Sequence, residues 1–299
     1  MKQVQVLSVA VSVVLLAALS GLATDLVCTT TIIADVVAQI AGDEMDVIAL
    51  FPPNADPHAF EPRPQDLVTL HRADLVFING LDLEASLDDI LESIKDRVVS
   101  LSAHLPNLLA ADAEVGHEDH VTYDPHVWFD PTLVSAWVDV IADRLSQFAP
   151  SLEPEFRARA ASFQSVLANL DEWIESILET IPTDRRLLVT DHRVFGYFAR
   201  RYGFEQVGTI FPGFSTVSEP SARELAELIT TIESLEVPAV FVGTTLNPSL
   251  AQQVASDTGT RIVVMYTGAL SDLDGPADTY VNFMRYTANA ILEGLGASE

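Results

Sequence analysis

The chain has 299 residues, of which 48% are hydrophobic, enough for two domains of ordinary size with substantial cores. Its formal net charge of −27 argues against nucleic acid or an anionic membrane surface as a partner. The single cysteine, Cys28, excludes an intrachain disulfide, so the fold must depend on its core.

Residues 1–23 are typical of a cleaved secretory signal peptide. Lys2 precedes an almost wholly apolar run from Val4 to Leu19, and small residues near position 21 offer a cleavage point. The run approaches the length of a membrane span, so a retained anchor is the alternative. Because Cys28 follows Asp-Leu-Val rather than small residues, we do not expect a lipoprotein anchor there and interpret it as a buried strand residue. A periplasmic location is predicted.

The next part of the chain alternates short apolar runs with amphipathic stretches, the pattern of parallel β-α-β units. Residues 24–150 are predicted to form an N-terminal lobe. Strands are predicted at 26–31, 45–51, 75–79 and 97–101, and helices at 32–41, 65–72, 83–94 and 131–148. Between them, residues 106–123 combine small, acidic and histidine residues and are predicted to form a mobile loop.

A long amphipathic stretch follows. Apolar side chains between residues 152 and 181 recur at spacings of three, four or seven, which indicates one helix about 45 Å long. We predict a rigid linker helix over 151–182, joining the first lobe to a C-terminal lobe at 183–299. In that lobe, strands are predicted at 187–190, 206–210, 239–242 and 261–266, and helices at 194–202, 219–235, 248–258 and 279–295. The expected fold is α/β, with two lobes that each contain a mainly parallel sheet flanked by helices.

Three histidines occupy phrases suited to metal binding: His58 in NADPHAFEP, His126 in YDPHVWFDP and His192 in TDHRVFG. They are 68 and 66 residues apart, so only tertiary structure could bring them together. His58 and His192 follow predicted strands, where ligands bind in open α/β sheets, and His126 precedes a helix. Three neutral imidazoles leave one position of a zinc tetrahedron open. We therefore predict a metal site in the cleft between the lobes.

These phrases, with ADLVFINGLDLE at 73–84, resemble those of the metal-binding receptors of zinc and manganese ABC importers, also called cluster A-I or cluster 9 solute-binding proteins. The resemblance runs from about Leu26 to the C-terminus. It implies two α/β lobes joined by a long helix, and delivery of the metal to a permease with a cytoplasmic ATPase. It also implies that His58, His126 and His192 are ligands. The third position is histidine in members taken to import zinc, so Zn²⁺ is expected as cargo and Mn²⁺ is the alternative.

The sequence departs from this family at the fourth ligand. Many members carry an aspartate in a phrase like YTDSL, whereas residues 266–270 here read YTGAL, with Gly268 in place of the acid. This leaves the fourth ligand open between a water molecule and nearby carboxylates, namely those of Asp56, Glu61, Asp272 and Asp274. An acid restored at position 268 is expected to slow metal release if the backbone tolerates it.

Two further sets of residues are predicted to support the site. Glu61 and Asp130 are expected to orient the imidazoles of the ligands. His117 and His120 lie in GHEDHVTYDPH, where zinc-importing members carry a loop rich in histidines and acids. That loop could capture zinc weakly, or its polar residues could simply be solvated.

A receptor and an enzyme both fit three histidines. A zinc hydrolase would use the same histidines with a metal-bound water, and Asp56 or Glu61 as general base. The sequence has no HExxH or Gly-x-Ser-x-Gly motif, which favours a receptor without enzymatic activity. It also has no GxxxxGK[ST] motif, so partners must supply the energy for transport. We expect a monomer.

Overall fold

Two parallel sheets of the same topology form the frame of the protein in the computed structural model, which describes residues 25–110, 122–245 and 247–296. The first sheet has the strand order β2-β1-β3-β4. Its lobe contains β1 (Asp25–Cys28), α1 (Thr31–Ala41), β2 (Asp46–Ala49), α2 (Pro64–Arg72), β3 (Leu75–Ile78), α3 (Asp88–Ser93), β4 (Val98–Ser100) and α4 (Pro131–Phe148). All of its strand pairs are parallel.

The second sheet has the order β6-β5-β7-β8, also with all pairs parallel. Its lobe contains β5 (Leu187–Thr190), α6 (Gly196–Tyr202), β6 (Glu205–Thr209), α7 (Ala222–Ser234), β7 (Ala239–Gly243), α8 (Ser249–Thr258), β8 (Arg261–Met265) and α9 (Tyr280–Leu295). The predicted two-lobed α/β fold is therefore confirmed. The exact domain boundaries stay predictions, and the predicted signal peptide lies outside the described residues.

The linker helix α5 spans Glu153–Leu178 and has 26 residues, so it is about 39 Å long. It packs against α4, and against α1 from the first lobe and α9 from the second. It is shorter than the predicted 151–182 for two reasons. A 3₁₀ turn, Pro150–Leu152, precedes it, and Pro182 disfavours helical backbone at Ile181.

One hydrophobic core extends through both lobes and the linker helix. It includes Ile32 of α1, Trp137 of α4, Leu167 of α5 and Phe283 of α9, all buried. Two smaller clusters lie in the individual lobes. Cys28 is buried in β1, as predicted. No helix among the described residues has the length and apolar character needed to span a membrane.

One predicted helix is much shorter in the structure. The pattern indicated a helix over 83–94, but α3 covers only Asp88–Ser93 after a 3₁₀ turn at Ala85–Leu87. The chain before it forms a tight turn in which Leu81 and Asp82 have positive φ. The buried carboxylate of Glu84 turns back and accepts hydrogen bonds from the backbone N–H groups of Asn79 and Gly80. A helical backbone at Glu84 would not allow these bonds.

Candidate metal centre

The three predicted histidines lie at the ends of secondary-structure elements and meet between the lobes. His58 lies in a 3₁₀ turn, Pro57–Ala59, that follows β2. His126 directly precedes the turn that leads into α4, and His192 follows β5. Two of these positions are beyond the carboxyl ends of parallel strands, where ligands bind in open α/β sheets.

The Nε2 atoms of the three rings face one another. His126 Nε2 lies 3.0 Å from His58 Nε2 and 3.2 Å from His192 Nε2. Among the described residues these three form the one group of histidines, cysteines and acids whose potential ligand atoms all lie within 4.8 Å of each other. His126 and His192 are buried, and His58 is partly exposed. A single ion at the centre could therefore contact three imidazole nitrogens.

Two buried aspartates set the orientation of two rings. Asp124 Oδ1 lies 2.7 Å from His126 Nδ1, and Asp191 Oδ1 lies 2.6 Å from His192 Nδ1. When the carboxylate is ionised it can only accept a hydrogen bond, and Nδ1 of the facing ring then carries the proton. The Nε2 lone pair is then directed at the centre of the site, as in carboxylate–histidine–metal arrangements.

The surroundings of His58 and His126 favour the neutral, metal-binding form of these two rings. Burial, followed by the proximity of the other imidazoles, lowers the pKa of His58 and His126 well below the ordinary value. Burial raises the pKa of Asp124 to about 7. Burial also opposes ionisation of Asp191, but the adjacent His192 and three hydrogen bonds outweigh it, and the pKa of Asp191 is lowered.

None of the acids predicted as a fourth ligand joins the cluster. Asp56 Oδ1 accepts the backbone N–H of His58 at 3.0 Å, and its Oδ2 accepts the hydroxyl of Thr216 at 2.5 Å. Asp272 is exposed, and its carboxylate lies 3.5 Å from the side-chain amide of Asn54. Asp274 is also exposed. Among the described residues, the candidate metal cluster thus consists of three imidazoles.

Among the described residues, no hydrogen bond joins Glu61 or Asp130 to one of the three rings, and their predicted orienting role stays a prediction. Asp130 caps α4, where its Oδ1 accepts from the backbone N–H and the hydroxyl of Thr132. Glu61 is exposed, and no hydrogen bond to its side chain is found within the described ranges. The orienting acids, Asp124 and Asp191, stand two residues and one residue before their histidines. A short acidic side chain just before a histidine was the sequence signal for them.

Both lobes also form hydrogen bonds to the backbone just before His126. On the N-terminal side, the carboxamide of Asn79 donates to the carbonyl of Pro125 at 3.0 Å. On the C-terminal side, the hydroxyl of Tyr197 donates to the carbonyl of Asp124 at 2.9 Å. Glu84 fixes the turn that carries Asn79, and burial raises the pKa of Glu84 to about 7. The chain around His126 is therefore anchored to both lobes.

His117 and His120 lie outside the described residues, so the auxiliary role of their loop stays a prediction.

Comparison with known proteins identifies the family. A family model described as the periplasmic component A of a zinc-uptake complex matches residues 26–294. The chain belongs to this family. The match confirms the resemblance seen in the motifs, and members of the family are solute-binding receptors of metal ABC importers.

Individual relatives cover nearly the whole chain. The chain is 31% identical to the manganese-binding lipoprotein MntA of Halalkalibacterium halodurans, over 90% of this chain and 88% of that protein. It is 31% identical to the zinc-binding protein TroA of Treponema pallidum, over 90% and 88%. It is 30% identical to the iron-binding protein YfeA of Yersinia pestis, over 90% and 86%. The relatives thus differ in the metal that their names state.

A solved structure of the periplasmic zinc-binding protein TroA from Treponema pallidum superposes with a TM-score of 0.84 at 30% identity. The match covers 92% of this chain and 100% of that one. The fold and the receptor class are therefore shared. Neither the comparisons nor the geometry supports the alternative of a zinc hydrolase, since both oxygens of Asp56 already accept hydrogen bonds and Glu61 is exposed.

Proposed function

We propose that this receptor binds zinc with high affinity and delivers it to a membrane permease that works with a cytoplasmic ATPase. His58, His126 and His192 would bind one Zn²⁺, and no chemical transformation is required. The observation that carries the proposal is the cluster of three Nε2 atoms, with ligand atoms all within 4.8 Å. The orienting hydrogen bonds that Asp124 and Asp191 accept from His126 and His192 support it.

The choice of zinc over manganese depends on the ligand atoms. Imidazole nitrogen suits zinc, whereas carboxylate, carbonyl and water oxygens suit manganese. No carboxylate among the described residues completes the cluster, and Asp56 is held by His58 and Thr216. We infer a tetrahedral ion with three imidazoles and one water, an arrangement zinc adopts readily.

The proposed location follows from the N-terminus. Residues 1–23 would direct export and be removed, which leaves a periplasmic receptor. We propose that it is a monomer. A lipid anchor at Cys28 does not fit, because this residue of β1 pairs with Ala49 of β2 and Phe77 of β3 and its side chain is buried.

The ligand set and the metal can be tested together. We expect protein purified without added metal to contain one zinc per chain, measured by elemental analysis. In competitive titration with a chelator of known affinity, zinc should bind more tightly than manganese. Alanine at His58, His126 or His192 should lower zinc affinity by about 100-fold or more, since a ligand bond is lost.

His71→Ala is the matched control, because His71 is an exposed residue of α2. It should bind zinc as the unmodified protein does. Unchanged zinc affinity in all three ligand variants would refute the site. Manganese binding equal to or tighter than zinc binding would make the protein a manganese receptor.

A further inference from the structure

Three glycines pack against the residues that hold the three proposed ligand histidines. Gly268 contacts Pro57, which precedes His58. Gly196 contacts Asp124, which orients His126, and Gly243 contacts Asp191, which orients His192. For each histidine, therefore, one glycine packs against the neighbouring residue that positions it.

The contact at Gly268 leaves no room for a side chain. A Cβ there would lie 2.5 Å from Cδ and 2.8 Å from Cγ of Pro57. The pyrrolidine ring is rigid, so the strain would be passed to the backbone that carries His58. In this chain the space beside Gly268 is thus filled by Pro57. An aspartate at this position would displace His58 rather than simply add a fourth ligand.

The contact at Gly196 involves the carboxylate that orients His126. A Cβ at Gly196 would lie 2.5 Å from Asp124 Oδ2. Asp124 cannot move freely, because its Oδ1 already accepts from the backbone N–H of His126 at 2.9 Å and faces the ring of His126. Any displacement of the carboxylate would therefore turn or shift this imidazole.

The contact at Gly243 involves the carboxylate that orients His192. The backbone N–H of Gly243 donates to Asp191 Oδ2 at 2.5 Å. A Cβ at Gly243 would lie 2.9 Å from that oxygen and 2.7 Å from the hydroxyl of Thr267. The glycine thus both binds Asp191 and allows it to approach closely.

Space, rather than backbone conformation, explains these glycines. Positive φ is found at other glycines, such as Gly203 and Gly259, but not at Gly196, Gly243 or Gly268. Ordinary contact begins near 3.4 Å, so a Cβ at 2.5 Å requires its neighbour to move by roughly 1 Å. Zinc–ligand distances in real sites vary by only about 0.2 Å. At Gly196 and Gly268 this shift of the supporting residue is several times that tolerance. At Gly243, where a Cβ would lie 2.9 Å from Asp191 Oδ2, the corresponding shift is roughly 0.5 Å.

We propose that Gly196, Gly243 and Gly268 are positioning residues of the proposed metal site. Because these glycines have no side chains, Asp124, Asp191 and Pro57 can pack closely enough to keep the three imidazoles oriented toward one another. This assignment rests on the proposed function, because it takes His58, His126 and His192 as the ligands.

The first test compares single alanine variants of the three glycines with Gly208→Ala. A Cβ at Gly208 would also meet a side-chain atom at 2.5 Å, but that atom is Cδ1 of Leu228, in an apolar cluster of the C-terminal lobe. We expect the three site variants to lose about tenfold or more in zinc affinity, the size of loss typical when support of a metal ligand is disturbed. Gly208→Ala should bind zinc as tightly as the unmodified protein. We expect this difference in zinc affinity even where all four alanine variants, without metal, have equally lowered melting temperatures.

The second test uses Pro57→Ala, which removes the ring that Gly268 faces. In that background, adding Gly268→Ala should cost less than about twofold in zinc affinity, because the contact is gone. This comparison stands even where Gly268→Ala alone does not fold. A loss of about tenfold or more on adding Gly268→Ala to Pro57→Ala would overturn the role of Gly268.

The outcomes separate the two proposals. Loss of zinc binding in the histidine variants, with glycine variants no weaker than Gly208→Ala, would overturn the positioning role alone. Unchanged zinc binding in the histidine variants would overturn the ligand set, and the positioning role with it.

Discussion

The tripeptide Asp-Pro-His occurs twice, at 56–58 and 124–126, and its two copies support the metal site differently. In both, Oδ1 of the aspartate accepts the backbone N–H of the histidine, at 3.0 Å and 2.9 Å. Asp124 Oδ1 also faces the ring of His126, whereas the second oxygen of Asp56 accepts the hydroxyl of Thr216. The same local turn orients a ligand in one copy and ties a loop to the opposite lobe in the other.

Burial explains the difference. Asp124 is 1% exposed, and its Oδ1 lies within hydrogen-bond distance of both the backbone N–H and the ring of His126. Asp56 is partly exposed at the edge of the cleft, where Thr216 of the other lobe is within reach. No hydrogen bond to Nδ1 of His58 is found among the described residues. We therefore expect His58 to be the more readily displaced of these two ligands.

Among substitutions in the two Asp-Pro-His copies and their contacts, Asp124→Asn should have the largest effect on zinc binding. Asparagine can still accept the backbone N–H of His126, so the turn is kept while the negative charge beside the ring is lost. We expect zinc affinity to fall between about tenfold and 100-fold in competitive titration. Asp56→Asn is the matched control and should change affinity by less than about threefold, since Asp56 does not face an imidazole. Equal losses in the two variants would show that both copies work alike.

Asp56→Ala should have an intermediate effect. It removes the acceptor for the His58 N–H and the contact with Thr216, each worth about 1 kcal/mol at most at this partly exposed position. We expect zinc affinity to fall by about three- to tenfold, mainly through faster release, measured by stopped-flow mixing with excess chelator. A slower association with unchanged release would contradict a role in retaining the metal.

Thr216→Val should have the smallest effect, because it removes only the hydrogen bond between the lobes. One such bond contributes about 0.5–1 kcal/mol, so zinc release should accelerate about two- to fivefold. Thr230→Val is the control, since the hydroxyl of Thr230 bonds the carbonyl of Ala226 within α7. Identical release rates in these two variants would mean that the contact with Asp56 does not retain the metal.

The alternation of apolar and amphipathic segments was sufficient to predict the two-lobed fold. All eight strands appear within a few residues of the predicted positions, because buried parallel strands are short apolar runs that the local pattern records. The predicted helix over 83–94 was too long, for a reason that the periodicity of apolar residues does not show. The carboxylate of Glu84 bonds the backbone of a preceding turn instead of lying on a helix surface.

The sequence by itself determined which residues could hold a metal: histidines beside short acids and prolines, at the ends of predicted strands. Tertiary structure alone decided which acids serve the rings. Asp56 lies as near to a histidine in sequence as Asp124 does, and Glu61 and Asp130 lie within four residues of one, yet Asp124 bonds a ring and these three do not. The physical reason is that a carboxylate binds the donor that folding places within about 3 Å, and that donor depends on contacts between distant segments. The space at Gly268 is another such case, since the ring of Pro57, more than two hundred residues earlier, fills it.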